Sequence, residues 1–296
     1  MTSTPPAVFD RCLARRRLLR AAASGKVEEF LLVQAIDELG ERLAAIKRDF
    51  HTVLDAGSPS PLLASKLAAQ LQPSLMVRMA PLAEAAANNG VLRLAGDEEC
   101  LPLKPGSFDL VLSALSLQCI NDLPGALIQF RRALRPDGLF LGCLLGGASL
   151  HELRTALAAA ETDISGGVSP RVAPFADVRD MGGLLQRAGF ASPVADSVTV
   201  TARYASMFGL TADLRAMGAA NALSARKCKP PAKRLFLRAA EVYAERFADP
   251  GGRVRATFEM IFLTGWAPHE SQQKPLPPGT NAMRLADATA IEPGSD

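Results

Sequence analysis

The residues with chemical potential in this chain gather at four places. The first is residues 53–61, VLDAGSPSP: a short apolar run, an acid, then a glycine, as a nucleotide-binding loop begins in an α/β protein. After Gly57 the chain reads Ser-Pro-Ser-Pro where further glycines belong. Proline at position 59 adds a ring and deletes an N–H donor where a backbone must approach a ligand closely. The second place is Asp97, Glu98 and Glu99, three acids in a row after Gly96. The third is Gln118-Cys119-Ile120-Asn121-Asp122. Gln118 can donate and accept hydrogen bonds but cannot titrate. Cys119 is either a small buried hydrophobe or a reactive thiol. The fourth is His151, Glu152 and Arg154, with Glu161 about two turns beyond Arg154. His151 and Arg154 stand one helical turn apart. A polar cluster there either receives a guanidinium through paired carboxylates or is a solvated helix face.

Metal and disulfide chemistry have little support. The histidines, His51, His151 and His269, are far apart, and no triad of two histidines and a carboxylate is visible. The five cysteines (12, 100, 119, 143 and 228) are scattered and odd in number, with no CxxC pair, which suits a reducing compartment.

The elements that position these groups follow from periodicity. Leu32, Ile36, Leu39, Leu43 and Ile46 recur at helical spacing. HTVLDAG is a short buried strand, and Ser60-Pro61 reads as a helix cap followed by proline at the first helical position. SLMVRM and residues 91–95 are the second and third strands, with a helix-like run, PLAEAAANNG, between them. SFDLVLSALSL is a fourth strand, and Asn121 or Asp122 caps a helix with Pro124 in its first turn. RPDG then turns the chain, with a positive φ assigned to Gly138, into the apolar strand LFLGCLLGG. Strands this uniformly apolar are covered on both faces, and strand–helix alternation implies a parallel sheet with right-handed crossovers. Beyond Gly147 come helices near Leu150, from Ala176, from Ser206 to Met217 and from Ala232 to Phe247, a strand ending DSVTVTARY, and a last strand at residues 255–267 closing on Trp266, read as core packing.

With 296 residues, 48% of them hydrophobic, the chain can bury a large core. Charged residues make up 21% and the net charge is +3, too mild for a nucleic-acid partner. No apolar run is long enough to span a bilayer. The cluster Arg11, Arg15, Arg16, Arg17 and Arg20 is either an organelle-targeting leader or a solvated helical arm. The expected organisation is an N-terminal arm over residues 1–50, a core over 51–147, the second half of the same fold with helical insertions over 148–267, and a loose tail over 268–296.

The order of elements resembles the class I S-adenosylmethionine-dependent methyltransferase fold, an α/β, Rossmann-like, seven-stranded doubly wound sheet. The segment DEECLPLKPGSFDLVLSALSLQCINDLPGALIQFRRALRPDGLFLG is similar to the core of that superfamily. GGASLHELRTALAAAET, GGVSPRVAPFADVRDMGGLLQRAGF and WAPHESQ resemble one group in particular, the mitochondrial complex I assembly factor family and its bacterial relatives. The mitochondrial member is a protein-arginine hydroxylase acting on an iron–sulfur subunit of complex I. The likeness begins at Phe9, so the basic arm reads as mature protein. It implies a cytoplasmic location in a bacterium or the mitochondrial matrix in a eukaryote.

The resemblance places S-adenosylmethionine against Asp55, Ala56, Gly57 and Ser58 of the first loop, Ala80 after the second strand, Asp97 and Glu98 after the third, and Ser113 in the fourth. Pro59 and Pro61 replace the second and third loop glycines, and Ala80 stands where an acid holds the ribose hydroxyls. Each lost charged hydrogen bond costs roughly 1.5–3 kcal/mol, enough for two losses to take a micromolar site to a millimolar one. Asp55 either positions the cofactor's amino group or caps the loop, and Asp97 either meets adenine or serves as a turn residue. No catalytic residue is assigned; the candidates are Gln118, Asn121, Asp122, His151 and Glu152. Gln118-Cys119 replaces a His-Trp pair of the family, which removes a general base. Three readings follow: a protein-modifying enzyme of the assembly-factor type, a small-molecule methyltransferase, and a non-catalytic assembly protein with S-adenosylmethionine binding weakened or lost.

Overall fold

The computed structural model describes residues 7–81, 90–229 and 231–272. Two helices, α1 (Arg11–Ala23) and α2 (Phe30–Ala44), precede the sheet. Then follow β1 (Thr52–Ala56), α3 (Leu62–Leu71), β2 (Leu75–Ala80), β3 (Val91–Ala95), β4 (Phe108–Ala114), α4 (Leu123–Ala133) and β5 (Leu134–Leu145). The second half holds α5 (His151–Ser165), α6 (Val178–Arg187), β6 (Ala191–Tyr204), α7 (Met207–Ala216), α8 (Lys233–Phe247) and β7 (Val254–Trp266). The helix-like run after Pro81 and most of the expected tail lie outside the described residues.

All seven strands join one sheet in the order β3-β2-β1-β4-β5-β7-β6. β1 to β5 pair in parallel, and β7 runs antiparallel between β5 and β6. The class I methyltransferase-like architecture expected from the element order is the one observed. Side chains of β4 divide by strand alternation: Leu110 and Leu112 enter one core layer and Val111 the other. The first layer packs α2, α3, α5, α7 and α8 against the sheet through Ile36, Leu63, Leu153, Leu210 and Tyr243. The second packs α4 and α6 through Leu127, Phe130 and Leu185.

Local chemistry departs from expectation at three points. RPDG, expected as a turn ahead of the strand, falls within β5, and there Asp137 carries the positive φ of 62°, not Gly138. Gly138 is needed for a different reason: a Cβ there would lie 2.9 Å from the Arg135 carbonyl oxygen. Pro61 is the cap residue of α3 rather than its first helical residue, and the Ser60 hydroxyl accepts from the Leu62 N–H at 3.3 Å. Asp122 caps α4 by accepting from the Gly125 N–H at 2.9 Å. Asn121 does not cap; it exchanges two hydrogen bonds with the Phe9 backbone, accepting at 2.8 Å and donating at 3.1 Å, and so anchors the N-terminal arm.

Candidate functional site

The strand order reverses direction at β1, with β2 on one side and β4 on the other. Loops leaving neighbouring strands diverge there, so a crevice opens beyond their carboxyl ends. A cavity of about 590 Å³ occupies this position, roofed by α1 and by the segment after α7. Its polar wall holds Arg11, Gly57, Glu98, Ser116, Gln118 and Cys119. Its opposite wall is apolar, with Leu150, Leu153 and Leu157 of α5 facing Met207, Leu214 and Phe236. Arg171 and Phe175, from the loop between α5 and α6, also line it.

Of the eight residues assigned to a cofactor, Gly57 and Glu98 line this cavity and six do not. Three of the six stitch the ends of β1 and β4 together. Ser113 donates its hydroxyl to the Ala56 carbonyl at 3.0 Å, and the Ser58 hydroxyl accepts from the Ala114 N–H at 3.1 Å. Asp55 is fully buried opposite Arg78, its register partner in β2, with Oδ2 3.7 Å from the arginine Nε. Arg78 also donates to the Ser58 carbonyl at 3.0 Å, which braces the loop from beneath. Its sequence signal is a charge inside the apolar run LMVRMA, aligned with an acid one strand away. Ala80 ends β2 with its carbonyl accepting from the Gly96 N–H at 2.9 Å.

Gly57 has a φ of 82°, and a Cβ there would collide with the Glu98 carboxylate. The loop therefore keeps the backbone freedom of a nucleotide loop while the space against it is filled by an acid. That acid belongs to a network the sequence does not reveal. Arg11 donates from Nη2 to Asp97 Oδ1 and to Glu98 Oε2, both at 2.6 Å, and lies 3.2 Å from Glu99 through Nη1. Arg15 pairs with Asp97. Arg17 reaches the Asn221 carbonyl. The arm expected to be solvated is instead fastened to the cleft through these arginines. Spacing alone cannot show it, because the partners lie more than eighty residues away.

Electrostatics separate the two acids. Burial pushes Asp97 up, but the Glu99 N–H and the Arg15 and Arg11 guanidiniums outweigh it and hold its carboxyl below the usual value. At Glu98 burial wins over Arg11 and the carboxyl is raised. Burial pushes the Cys119 thiol up to about 11, so it remains protonated near neutrality and behaves as a hydrophobe. Gln118 lines the cavity and donates Nε2 to the Leu115 carbonyl at 2.7 Å.

A methyltransferase domain matches residues 54–142. Arginine hydroxylase NDUFAF5 of human mitochondria is 38% identical over 294 residues, covering 96% of this chain and 84% of that protein. The zebrafish counterpart is 35% identical over 292 residues, covering 96% and 90%. The chain belongs to the class I methyltransferase-like family that includes the arginine hydroxylase NDUFAF5. A malonyl-[acyl-carrier protein] O-methyltransferase of Laribacter hongkongensis is 33% identical over 292 residues, covering 93% and 96%. In fold, a Bacillus halodurans protein described as a methyltransferase superposes with a TM-score of 0.54 at 15% identity, over 80% of this chain and all of that one. Methyltransferase domains of this kind depend on S-adenosylmethionine in general.

The segments that resemble this family run from the end of β5 through α5 and α6, and the polar residues on α5 have partners of their own. Glu152 is buried and accepts from the Thr257 hydroxyl at 2.5 Å and the Thr257 N–H at 3.1 Å. Glu161 is buried and receives Ser169, Arg171 and Lys227. Arg154 donates to the Ala173 carbonyl at 3.2 Å, and His151 is exposed beside the Ala148 carbonyl. None of the four lines the cavity; of the two alternatives left open for them, a cluster at the cleft and a solvated helix face, the exposed His151 fits the second, and the buried Glu152 and Glu161 fit neither. Asn121 and Asp122 likewise stand outside the lining. Among the catalytic candidates, Gln118 alone is part of it. No three His, Cys, Asp or Glu side chains converge as metal ligands among the described residues.

Proposed function

We propose that this protein modifies an arginine side chain of a protein partner, as the name of its mitochondrial relatives states for them, and that the partner is an iron–sulfur subunit of respiratory complex I. The observation that carries the reading is identity of 35–38% with arginine hydroxylases across 96% of the chain. The Glu98 carboxylate in the cavity lining supports it, since a carboxylate is the natural partner of a guanidinium.

The ends of β1, β2 and β3 do not fit the adenosine half of S-adenosylmethionine as they stand. Ala80 and Pro81 offer no side-chain acceptor to a ribose diol, and Pro59 offers no N–H donor. Asp97 and Glu98 are engaged by arginines, and Glu98 fills the face of Gly57. The nucleotide grip is therefore weakened relative to the fold's usual form, and no chemical step is routed through the cofactor. What the chain's own residues supply is a fixed amide at Gln118, a Glu98 carboxylate paired with Arg11, and an opposing apolar wall.

The test is incubation of the purified protein with peptides from the arginine-bearing segments of complex I iron–sulfur subunits, read by mass spectrometry. Gain of one oxygen atom supports the hydroxylase reading. Gain of a methyl group on the peptide, with S-adenosylhomocysteine released, indicates a methyltransferase acting on that peptide; the second reading, methyl transfer to a malonyl thioester as the name of the Laribacter relative states for it, is supported by S-adenosylhomocysteine release with that thioester and an unchanged peptide. Binding of the peptide with neither change indicates an assembly protein without catalysis.

A further inference from the structure

The modification of an arginine calls on the polar wall of the cavity and leaves the apolar wall without an occupant. That wall is extensive. Leu150, Leu153 and Leu157 form a row along α5, with Met207, Leu214 and Phe236 opposite, and Leu18 of α1 closes it from above. The α5 leucines, Met207 and Leu214 are all buried, yet they border a cavity of about 590 Å³. Their lining surface is thus withdrawn from bulk water behind α1 and the segment after α7.

Such a space is costly when nothing fills it. An apolar void forfeits contacts in proportion to its volume. Water inside finds no hydrogen-bond partner on leucine or phenylalanine, and apolar cavities take up hydrocarbons instead. The whole cavity has the size of pockets that enclose a small organic ligand.

The wall also narrows what that ligand is. The backbone groups of α5 are paired within the helix, and the side chains facing the space offer no donor and no strong acceptor. A peptide main chain laid against them would leave its N–H and C=O groups unmade. A guanidinium there would be stripped of water without compensation. A flexible hydrocarbon chain brings neither cost and can follow the channel between the two rows.

We propose that the apolar half of the cavity binds the hydrocarbon chain of a small amphiphile, lying between α5 and α7 beneath α1 with its head left on the polar side. The assignment concerns this half alone and does not depend on which group the protein modifies.

The probes are hexanoate, decanoate and tetradecanoate, with decanol as the neutral counterpart, titrated calorimetrically into the full chain below their micellar concentrations. Each added methylene should tighten binding by roughly three- to fourfold until the space is full. Decanoate should therefore bind at least about tenfold more tightly than hexanoate, and tetradecanoate should gain nothing further. Decanol should also bind, because the chain and not the head carries the affinity. Leu153→Trp fills the space from α5 and should weaken decanoate at least about tenfold without lowering the melting temperature. Leu237→Ser, at an exposed position on α8 outside the lining, should change nothing.

Three results would overturn the site: no decanoate binding, affinity that climbs without limit through tetradecanoate as adsorption to a surface does, or unchanged affinity in Leu153→Trp. If that variant does not fold, Leu157→Phe is titrated in its place. Amide exchange on the parent gives an answer free of any variant. Decanoate should slow exchange in α1 and α7, which enclose the chain, and no slowing there rejects the site. A modified peptide without decanoate binding keeps the enzyme and rejects this site, whereas decanoate binding with an unmodified peptide does the reverse.

Discussion

At the scale of single residues, two groups of side chains test how the site and its frame are built. Pro59 and Ala80 are the positions where, on the reading proposed above, the loop and the end of β2 offer a nucleotide fewer contacts. Pro59→Gly with Ala80→Asp restores a donor and a diol acceptor, and should tighten S-adenosylmethionine binding by roughly tenfold or more, given about 1.5–3 kcal/mol for each charged hydrogen bond. Calorimetry showing no gain would mean these positions do not face a nucleoside. Glu161 tests the frame. Burial raises its carboxyl, but Arg171, Lys227 and Ser169 together pull it well below the ordinary 4.5. A depressed carboxylate contributes stability that is complete above its unfolded value and lost as pH falls toward the folded one. Glu161→Gln should cost about 3–5 kcal/mol at neutral pH, the usual result of breaking a buried ion cluster. The gap to the parent should narrow progressively below about pH 4.5. A constant gap from neutral to acid in thermal melts would contradict this account.

At the scale of elements, α1 is the part whose place matters most, because it carries both the roof of the cavity and Arg11. It is held at its far end by a close backbone approach. Gly218, at a φ of 73°, admits the α1 backbone so closely that a Cβ would lie 2.7 Å from Leu18 Cα. Gly218→Ala therefore faces both a strained backbone and a clash with main chain, which cannot rotate away. The expected outcome is local: faster amide exchange and proteolysis across α1, with β1, β4 and β5 still protected. Uniform protection in the variant would show that α1 docks without this contact. The same element shows why part of the site escapes the sequence. α1 reads as a basic arm because charge runs are usually solvated, and nothing in residues 11–20 announces acids that sit beyond residue 96. Asn121 is legible as a cap candidate from its position before Pro124, yet its amide bonds to Phe9 instead.

At the scale of the molecule, the two core layers lie on either face of the sheet, and Phe140 sits at the centre of an aromatic stack within the second. Its ring stacks between Phe130 of α4 at 5.5 Å and Phe190, before β6, at 5.4 Å between centroids. It is fully buried. Phe140→Ala should lower stability by about 3–5 kcal/mol. In urea the midpoint should fall while the slope stays constant, as expected for one cooperative unit. A change of slope, or a second transition, would show that the antiparallel β6–β7 half unfolds separately from the parallel half.

The order of strands and helices, the apolar strands covered on both faces, and the relation to methyltransferase-like proteins are all present in the sequence. They depend on local periodicity and on short runs of neighbouring residues. The elements β1, β4, β5 and β7 stand where their hydrophobic runs put them, within a residue or a few at most ends. The cavity wall is not present in that form. Ser58 and Ser113, which the resemblance assigns to the cofactor, and Asp55, left open between cofactor contact and loop cap, hold strand ends together, a role that local spacing does not reveal. The α5 acids, left open between a cleft cluster and a solvated face, are buried and held by Thr257 and by Ser169, Arg171 and Lys227. Arg11 and Arg15 meet their acids across more than eighty residues of chain, whereas Glu161 finds Arg171 ten residues on. The pairing of Arg11 with Asp97 and Glu98 exists only once the sheet has closed and α1 has been laid across its carboxyl edge.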